Sequence, residues 1–437
     1  MTFNFNISEK ASVEQRPIRV GLIGAGKFGS MFLAQVPTTI GIEVVAIADL
    51  SIERARASCQ NVGWTDEQIG KVRFVTDARR MIEDSDIDVI VEATGHPSVG
   101  IRHARAAIAA RKHIVMVNVE ADVLAGPLLA REAREAGVVY TLAYGDQPAL
   151  VCEMVEWARN CGFEVVAAGK GTRYLPSFHQ STPDDVWKNR GVNPEDAKKG
   201  GMNAQMFNSF IDGTKAAIEM AAVANATGLS PAPDGLKFPP AAAENLTDVL
   251  NNQTLHHRGQ VEVVSSVERD GSVIPGNLRW GVYVVFAAPN EYSKRCFREY
   301  GVKTDETGEL AALYRPFHLI GLELNVSIFS AALRQESTGA PKDFVADVVA
   351  TAKRNLAVGE VLDGEGGYLV WGKLMPAADS LRIGALPIGL ASSLKIVRPI
   401  KEGECLTWDD VEVDEADDAY QYRREMEQAF GRVTQPA

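Results

Sequence analysis

The segment AAGKGTRYLPSFHQSTPDDVW, residues 167–187, gathers Lys170, Arg173, Tyr174 and His179 into one stretch punctuated by glycine and proline. Lysine and arginine supply positive charge for a carboxylate or phosphate, and a phenol and an imidazole carry protons. Gly169 and Gly171 let the backbone pass close to a neighbour. A solvated loop is equally compatible with these residue types. A second set lies in NSFIDGTKAAIEMAAVANATG, where Asp212, Lys215 and Glu219 recur at three- and four-residue intervals and would share one helix face. Their Ala, Ile and Met neighbours predict partial burial. There a lysine can hydrogen-bond a carbonyl oxygen or titrate with a shifted pKa, although a structural ion pair fits the same spacing. Together the two sets predict a centre in which Lys170, Tyr174, Asp212 and Lys215 do the chemistry and Arg173, His179 and Glu219 hold a substrate.

A third motif is GLIGAGKFGS, with Gly24, Gly26 and Gly29 directly after an apolar run and at the start of a helical pattern. In that context the first glycine makes a tight turn, the second admits a pyrophosphate, and the third lets helix and strand pack closely. Lys27 and Phe28 sit inside the motif, and the helix N-terminus they open favours an anion. The next apolar run ends in Asp49, at the distance expected for a ribose-binding carboxylate. Asp49 favours NAD(H), whereas Arg54, Arg56 and Lys27 would suit the extra phosphate of NADP(H), so both cofactors stay open.

These residues need a scaffold. From Arg16 to Tyr144, short Val/Ile-rich runs alternate with amphipathic stretches, which predicts a doubly wound α/β domain of parallel strands and covering helices over residues 1–145. Ligands bind outside the carboxyl ends of such strands. Thr94, Gly95 and His96 after the fourth run, and Asn118 and Glu120 after the fifth, should therefore border the nicotinamide. Residues 146–340 read as an α+β catalytic domain containing a long helix through Asp212 and a hairpin, QVEVVSSVE to WGVYVVFAA, turning at Asp270-Gly271. From residue 341 the chain is rich in Gly, Pro and short strands, as in a small irregular β-rich unit.

The 437 residues carry a net charge of -12, with 46% hydrophobic and 23% charged residues. That balance predicts a globular chain with neither a nucleic-acid nor a membrane footprint. Five scattered cysteines without a C-x-x-C pair suit a reducing cytoplasm. The first fifteen residues show no signal-peptide pattern. Asp184, Asp185 and Glu195 are acids that could take Mg²⁺ or Mn²⁺, without a spacing that compels it.

Across nearly the whole chain, the runs RVGLIGAGKFGSMFL, AYGDQPALVCEMVEWARNCGFEVVAAGKGTRYLP, MFNSFIDGTKAAIEMAAVANATGL, LYRPFHLIGLELNVSIFSAALR and LDGEGGYLVWGKLMP resemble a bacterial group of oxidoreductases. These are homoserine-dehydrogenase-like enzymes with a C-terminal SAF domain, and they include the deoxyxylulose-phosphate-reductoisomerase-like family. The resemblance implies a SAF-like domain over 341–437, a homodimer, and a small anionic substrate. In the sharper form it implies conversion of 1-deoxy-D-xylulose 5-phosphate by NADPH with a divalent cation, a step towards isoprenoid precursors. Homoserine dehydrogenases place Asn-Lys at the end of the fifth strand; here the segment is Asn118-Val119-Glu120. Lys170 or Lys215 would then supply the missing charge. A homoserine or related hydroxy-acid dehydrogenase is the enzyme alternative. A cofactor-sensing assembly protein is the alternative of another class.

Overall fold

The computed structural model describes residues 16–199 and 202–431. The first fifteen residues, for which the sequence predicted no signal peptide, and the residues beyond 431 lie outside the described residues. Two compact units divide the chain. One comprises residues up to Glu153 with His318–Lys342, and the other comprises Met154–Phe317 with Asp343 onward.

The first unit is a six-stranded sheet in the order β3-β2-β1-β4-β5-β6, with every recorded pairing parallel. Its strands are β1 (Ile18–Ile23), β2 (Ile42–Ala48), β3 (Arg73–Val75), β4 (Val89–Glu92), β5 (His113–Met116) and β6 (Tyr140–Leu142). The order reverses beside β1, which makes a switch point at the carboxyl ends of β1 and β4. Val20, Leu22, Val89 and Val91 are fully buried, as near-continuous apolar strands covered on both faces must be. Helices α1 (Lys27–Gln35), α2 (Ile52–Asn61), α3 (Pro97–Ala109) and α4 (Val119–Glu135) follow β1, β2, β4 and β5.

The second unit contains a four-stranded sheet in the order β10-β9-β7-β8, formed by β7 (Glu164–Thr172), β8 (Gln260–Ser265), β9 (Val282–Ala287) and β10 (Leu310–Arg315). The expected β8–β9 hairpin does not form. β7 lies between the two, parallel to β8 and antiparallel to β9. The glycines of β7 explain the arrangement: a Cβ at Gly169 would collide with the Glu262 carbonyl, and one at Gly171 with the Leu278 carbonyl. Only a local turn survives at Asp270-Gly271, where Gly271 takes φ +88° and Val267 bridges Val273.

Helices α5 (Val186–Arg190), α6 (Ala204–Ser209) and α7 (Thr214–Thr227) follow β7. The long helix expected through Asp212 is therefore broken, and Gly213 at φ +92° caps α7. C-terminal to these, β11 (Ala346–Ala352) pairs with β13 (Val370–Pro376), while β12 (Val361–Asp363), β14 (Ser392–Ile396) and β15 (Val411–Glu412) make a three-stranded sheet before α8 (Asp418–Phe430). Among the described residues, no helix is long and apolar enough to cross a membrane.

Candidate functional site

In the first unit the three glycines have three different physical reasons. Gly24 takes φ +92°, and a Cβ there would lie 2.7 Å from the Ala93 carbonyl oxygen. A Cβ at Gly29 would strike the Gly24 carbonyl, whereas Gly26 has open space on that side. Gly26 caps α1, whose first turn contains no acid. A turn that admits backbone closeness at Gly26 and points helix N–H groups at the opening fits a dinucleotide pyrophosphate. Lys27 is exposed beside it, while Phe28 packs partly buried against the core.

Asp49 does more than await a ribose. Its Oδ2 accepts the Ala25 N–H (2.9 Å), and its Oδ1 accepts the Ser51 N–H (3.0 Å) and Arg54 Nη2 (2.5 Å). It therefore braces the glycine turn, and a lone pair on Oδ2 remains for a ribose hydroxyl. Arg54 neutralises the carboxylate that would repel a 2′-phosphate. Arg56 lies instead 4.4 Å from the centre of the Phe74 ring.

Thr94, Gly95 and His96 are exposed at the end of β4. Asn118 is buried, caps α4 through the Ala121 N–H (3.1 Å), and donates to the His96 carbonyl (3.0 Å), which ties the ends of β4 and β5 together. Glu120 is half-buried in the first turn of α4. Behind them the structure adds Glu92, fully buried, whose Oε1 accepts Thr94 Oγ1 (2.5 Å) and lies 3.2 Å from His103 Nδ1. An acid closing the apolar run VIVE was its signal in the sequence.

In the second unit Lys170 lies inside β7 rather than in a loop. It is buried and forms an ion pair with Glu219 of α7, also buried. Asp212 precedes α7 and is fully buried; its Oδ1 accepts the Thr214 N–H (2.9 Å) and its Oδ2 lies 2.8 Å from Lys353 Nζ. Desolvation raises the Asp212 pKa above the ordinary carboxylate value, against the pull of Lys353. Lys353 also donates to the Ser181 (2.7 Å) and Gly367 (2.6 Å) carbonyls. Sequence reasoning missed it, although a lysine directly after the apolar run ADVVATA was a usable signal. Lys215 stands half-buried in the first turn of α7.

His179 and Tyr174 meet, with Tyr174 Oη 2.9 Å from His179 Nε2 and His179 Nδ1 2.7 Å from the Asp212 carbonyl oxygen. A carbonyl only accepts, so Nδ1 carries the proton and Tyr174 donates to Nε2. Burial pushes the His179 pKa down and the Tyr174 pKa up. Near neutrality these shifts leave both uncharged. Its ring stacks on Trp371 at 3.8 Å, and Tyr174 stacks on Phe238 at 3.9 Å. A cleft of about 590 Å³ opens here, lined among others by His179, Gly213, Phe238, Trp371 and Lys373.

Arg173, just beyond β7, has a buried Nε without a hydrogen-bond partner. Asp184 accepts from Tyr368 Oη (3.0 Å) and Asp185 from Thr182 Oγ1 (2.8 Å). Among the described residues, no group of three or more His, Cys, Asp or Glu side chains is placed to hold a metal ion.

Comparison with known proteins adds two matches. Residues 18–142 match the NAD-binding Rossmann fold of an oxidoreductase family, and residues 145–324 match the catalytic domain of oxidoreductase DRL. Inositol 2-dehydrogenase of Acidothermus cellulolyticus is 34% identical over 122 residues, which is 28% of this chain and 33% of that protein. Homoserine dehydrogenase of Bacillus subtilis is 27% identical over 133 residues, 28% of each chain. The chain thus spans about a third of the length of the curated relatives it matches. Among solved structures, myo-inositol dehydrogenase from Lactobacillus casei in complex with NAD(H) and myo-inositol has a TM-score of 0.30 at 18% identity, covering 39% of this chain and 50% of that one. By these two matches, a segment similar to an NAD-binding Rossmann fold of an oxidoreductase family precedes a segment similar to the catalytic domain of oxidoreductase DRL.

Proposed function

We propose that the protein is an NAD(P)(H)-dependent oxidoreductase acting on a small anionic substrate of the sugar-phosphate class. One observation carries the reading. The segment matched by the DRL catalytic domain holds Lys170, Arg173, Tyr174, His179, Asp212, Lys215 and Glu219, and it follows an intact glycine turn braced by Asp49. When bound, the nicotinamide supplies or accepts the hydride. The chain's own residues do the rest. Lys215 polarises the reacting oxygen, the Lys170–Glu219 and Asp212–Lys353 pairs fix the charges around it, and Arg173 holds the anionic end. Both pairs are buried beside one helix, where they hold their charges in a fixed arrangement.

The finer form, a reductoisomerase-like reaction on 1-deoxy-D-xylulose 5-phosphate with Mg²⁺ or Mn²⁺, rests on the family resemblance. No residue is assigned to the metal. A second reading, oxidation of a polyol or hydroxy acid, is favoured by the partial matches to inositol and homoserine dehydrogenases. A cytoplasmic homodimer is part of the proposal.

The test is oxidation of NADPH and NADH by the full chain with 1-deoxy-D-xylulose 5-phosphate, and reduction of NADP⁺ and NAD⁺ with homoserine and myo-inositol. Turnover on the phosphorylated sugar alone supports the reading. Turnover on myo-inositol or homoserine alone selects the second reading. Cofactor binding without turnover on any of them would leave the cofactor-sensing assembly protein.

A further inference from the structure

Arg173 leaves β7 beside the segment that carries Arg279. Gly171 donates its N–H to the Gly281 carbonyl (3.0 Å), and its α-carbon packs against the Leu278 carbonyl. The Arg279 guanidinium lies 4.9 Å from the Trp280 ring centre. The Arg190 guanidinium, at the end of α5, lies 4.6 and 5.9 Å from the rings of Phe207 and Phe210. Burial, and then the charge of Arg173, lowers the Arg279 pKa; burial, and then the charge of Arg279, lowers that of Arg190. The backbone contacts of Gly171 thus set the Arg173 and Arg279 segments side by side, and the charge of Arg190 adds to theirs. Among the described residues, no Asp or Glu forms an ion pair with any of the three, while Arg173 Nε is buried and unpartnered. Arginine cannot shed its proton to escape such a place. Like charges held together in partial burial call for a counter-charge from outside the chain.

We propose that Arg173, Arg279 and Arg190 form the binding site for the phosphate group of a phosphorylated substrate. The inference rests on the reading of this domain as the substrate-holding one, and it names the substrate class. One guanidinium fork suffices for a carboxylate, so three would leave a surplus of buried charge. A phosphate dianion offers enough oxygens for several forks and cancels two charges.

Calorimetric titration of inorganic phosphate into the full chain, saturated with NADH so that the glycine turn is filled, tests this site. Wild type should bind phosphate at least tenfold more tightly than acetate at equal ionic strength. Affinity should fall about ten- to a hundredfold in Arg279→Gln and in Arg173→Gln, the loss of a charge-assisted contact, and should stay unchanged in Arg54→Gln. Equal binding of acetate, or phosphate affinity lost in Arg54→Gln and kept in Arg279→Gln, overturns the proposal. So does an equal loss of NADPH affinity in Arg279→Gln, which would assign the cluster to the cofactor. Should the glutamine variants lose structure, Arg279→Lys decides: it keeps the charge and removes the fork, so undiminished phosphate affinity there also overturns it. Phosphate binding requires no turnover. Binding without catalysis would sink only the oxidoreductase reading, and turnover on a sugar phosphate that Arg279→Gln and Arg173→Gln leave untouched would sink only this one.

Discussion

Arg423 is wholly buried and Arg279 half-buried, and they differ in what answers them. Arg423, on α8, is wholly buried with Nη2 2.6 Å from Asp347 Oδ2 and Nε 2.8 Å from Glu427 Oε1, beneath the Phe344 ring at 4.9 Å. Ser380 Oγ completes Asp347 at 2.5 Å. Arg279 has the Trp280 ring and the charges of Arg173 and Arg190 near it, and among the described residues no acid forms an ion pair with it. An arginine whose counter-charges come from its own chain ties the fold together; one without them is held ready for an anion. Asp122 is the mirror case. It is fully buried, with Tyr140 Oη at 2.8 Å from Oδ1 and no partner recorded for Oδ2, and burial pushes its pKa up to about 7. A carboxylate can take up a proton when unanswered. An arginine has no such exit.

Four variants break or sharpen this comparison. Arg423→Leu strands Asp347 and leaves Glu427 only Arg424, and should cost about 3–5 kcal/mol in denaturant unfolding while leaving KM unchanged at low temperature. Lys215→Met should bind cofactor normally and lose about 10²–10³ in kcat in steady-state assays. A destabilised but active Lys215→Met enzyme would instead make Lys215 structural.

Asp122→Asn should stabilise the chain by roughly 4 kcal/mol at pH 8. Because the folded pKa lies above the ordinary 3.8, the folded chain keeps a proton that the unfolded chain has lost. The native Asp122 contribution is fully present below pH 3.8 and declines as the pH rises to about 7. The gap between variant and wild type should therefore close on acidification, as melting curves across that range would show. Arg173→Ala should raise KM ten- to a hundredfold, about 1.5–3 kcal/mol, with a melting temperature unchanged or higher because a like-charge contact is relieved.

The first unit was legible in the sequence because its determinants are local. Each strand is an apolar run, and Gly24, Gly26 and Gly29 fall within six residues of one another. The second unit was less so, because its partners are far apart in the chain. Lys170 looked like a loop residue for having glycines on both sides, yet those glycines serve the carbonyls of Glu262 and Leu278 on neighbouring segments. The hairpin was misread because β7 inserts between β8 and β9, which no local pattern announces. Asp212 was assigned to a helix it precedes, and its partner Lys353 lies in another sheet. Arg173 was recognised from its own segment, but Arg279 and Arg190 join it only through the fold.

The central claim, an oxidoreductase whose catalytic domain grips a substrate phosphate, is tested most directly by one kinetic ratio. The full chain is assayed for NAD(P)H oxidation with a phosphorylated ketose and with its dephosphorylated counterpart, in wild type and in Arg279→Gln. The account predicts a kcat/KM for the phosphorylated substrate at least a hundredfold above that for the other in wild type, and a ratio reduced about ten- to a hundredfold in the variant. Equal kcat/KM for the two substrates, or a ratio that the variant leaves untouched, would contradict it.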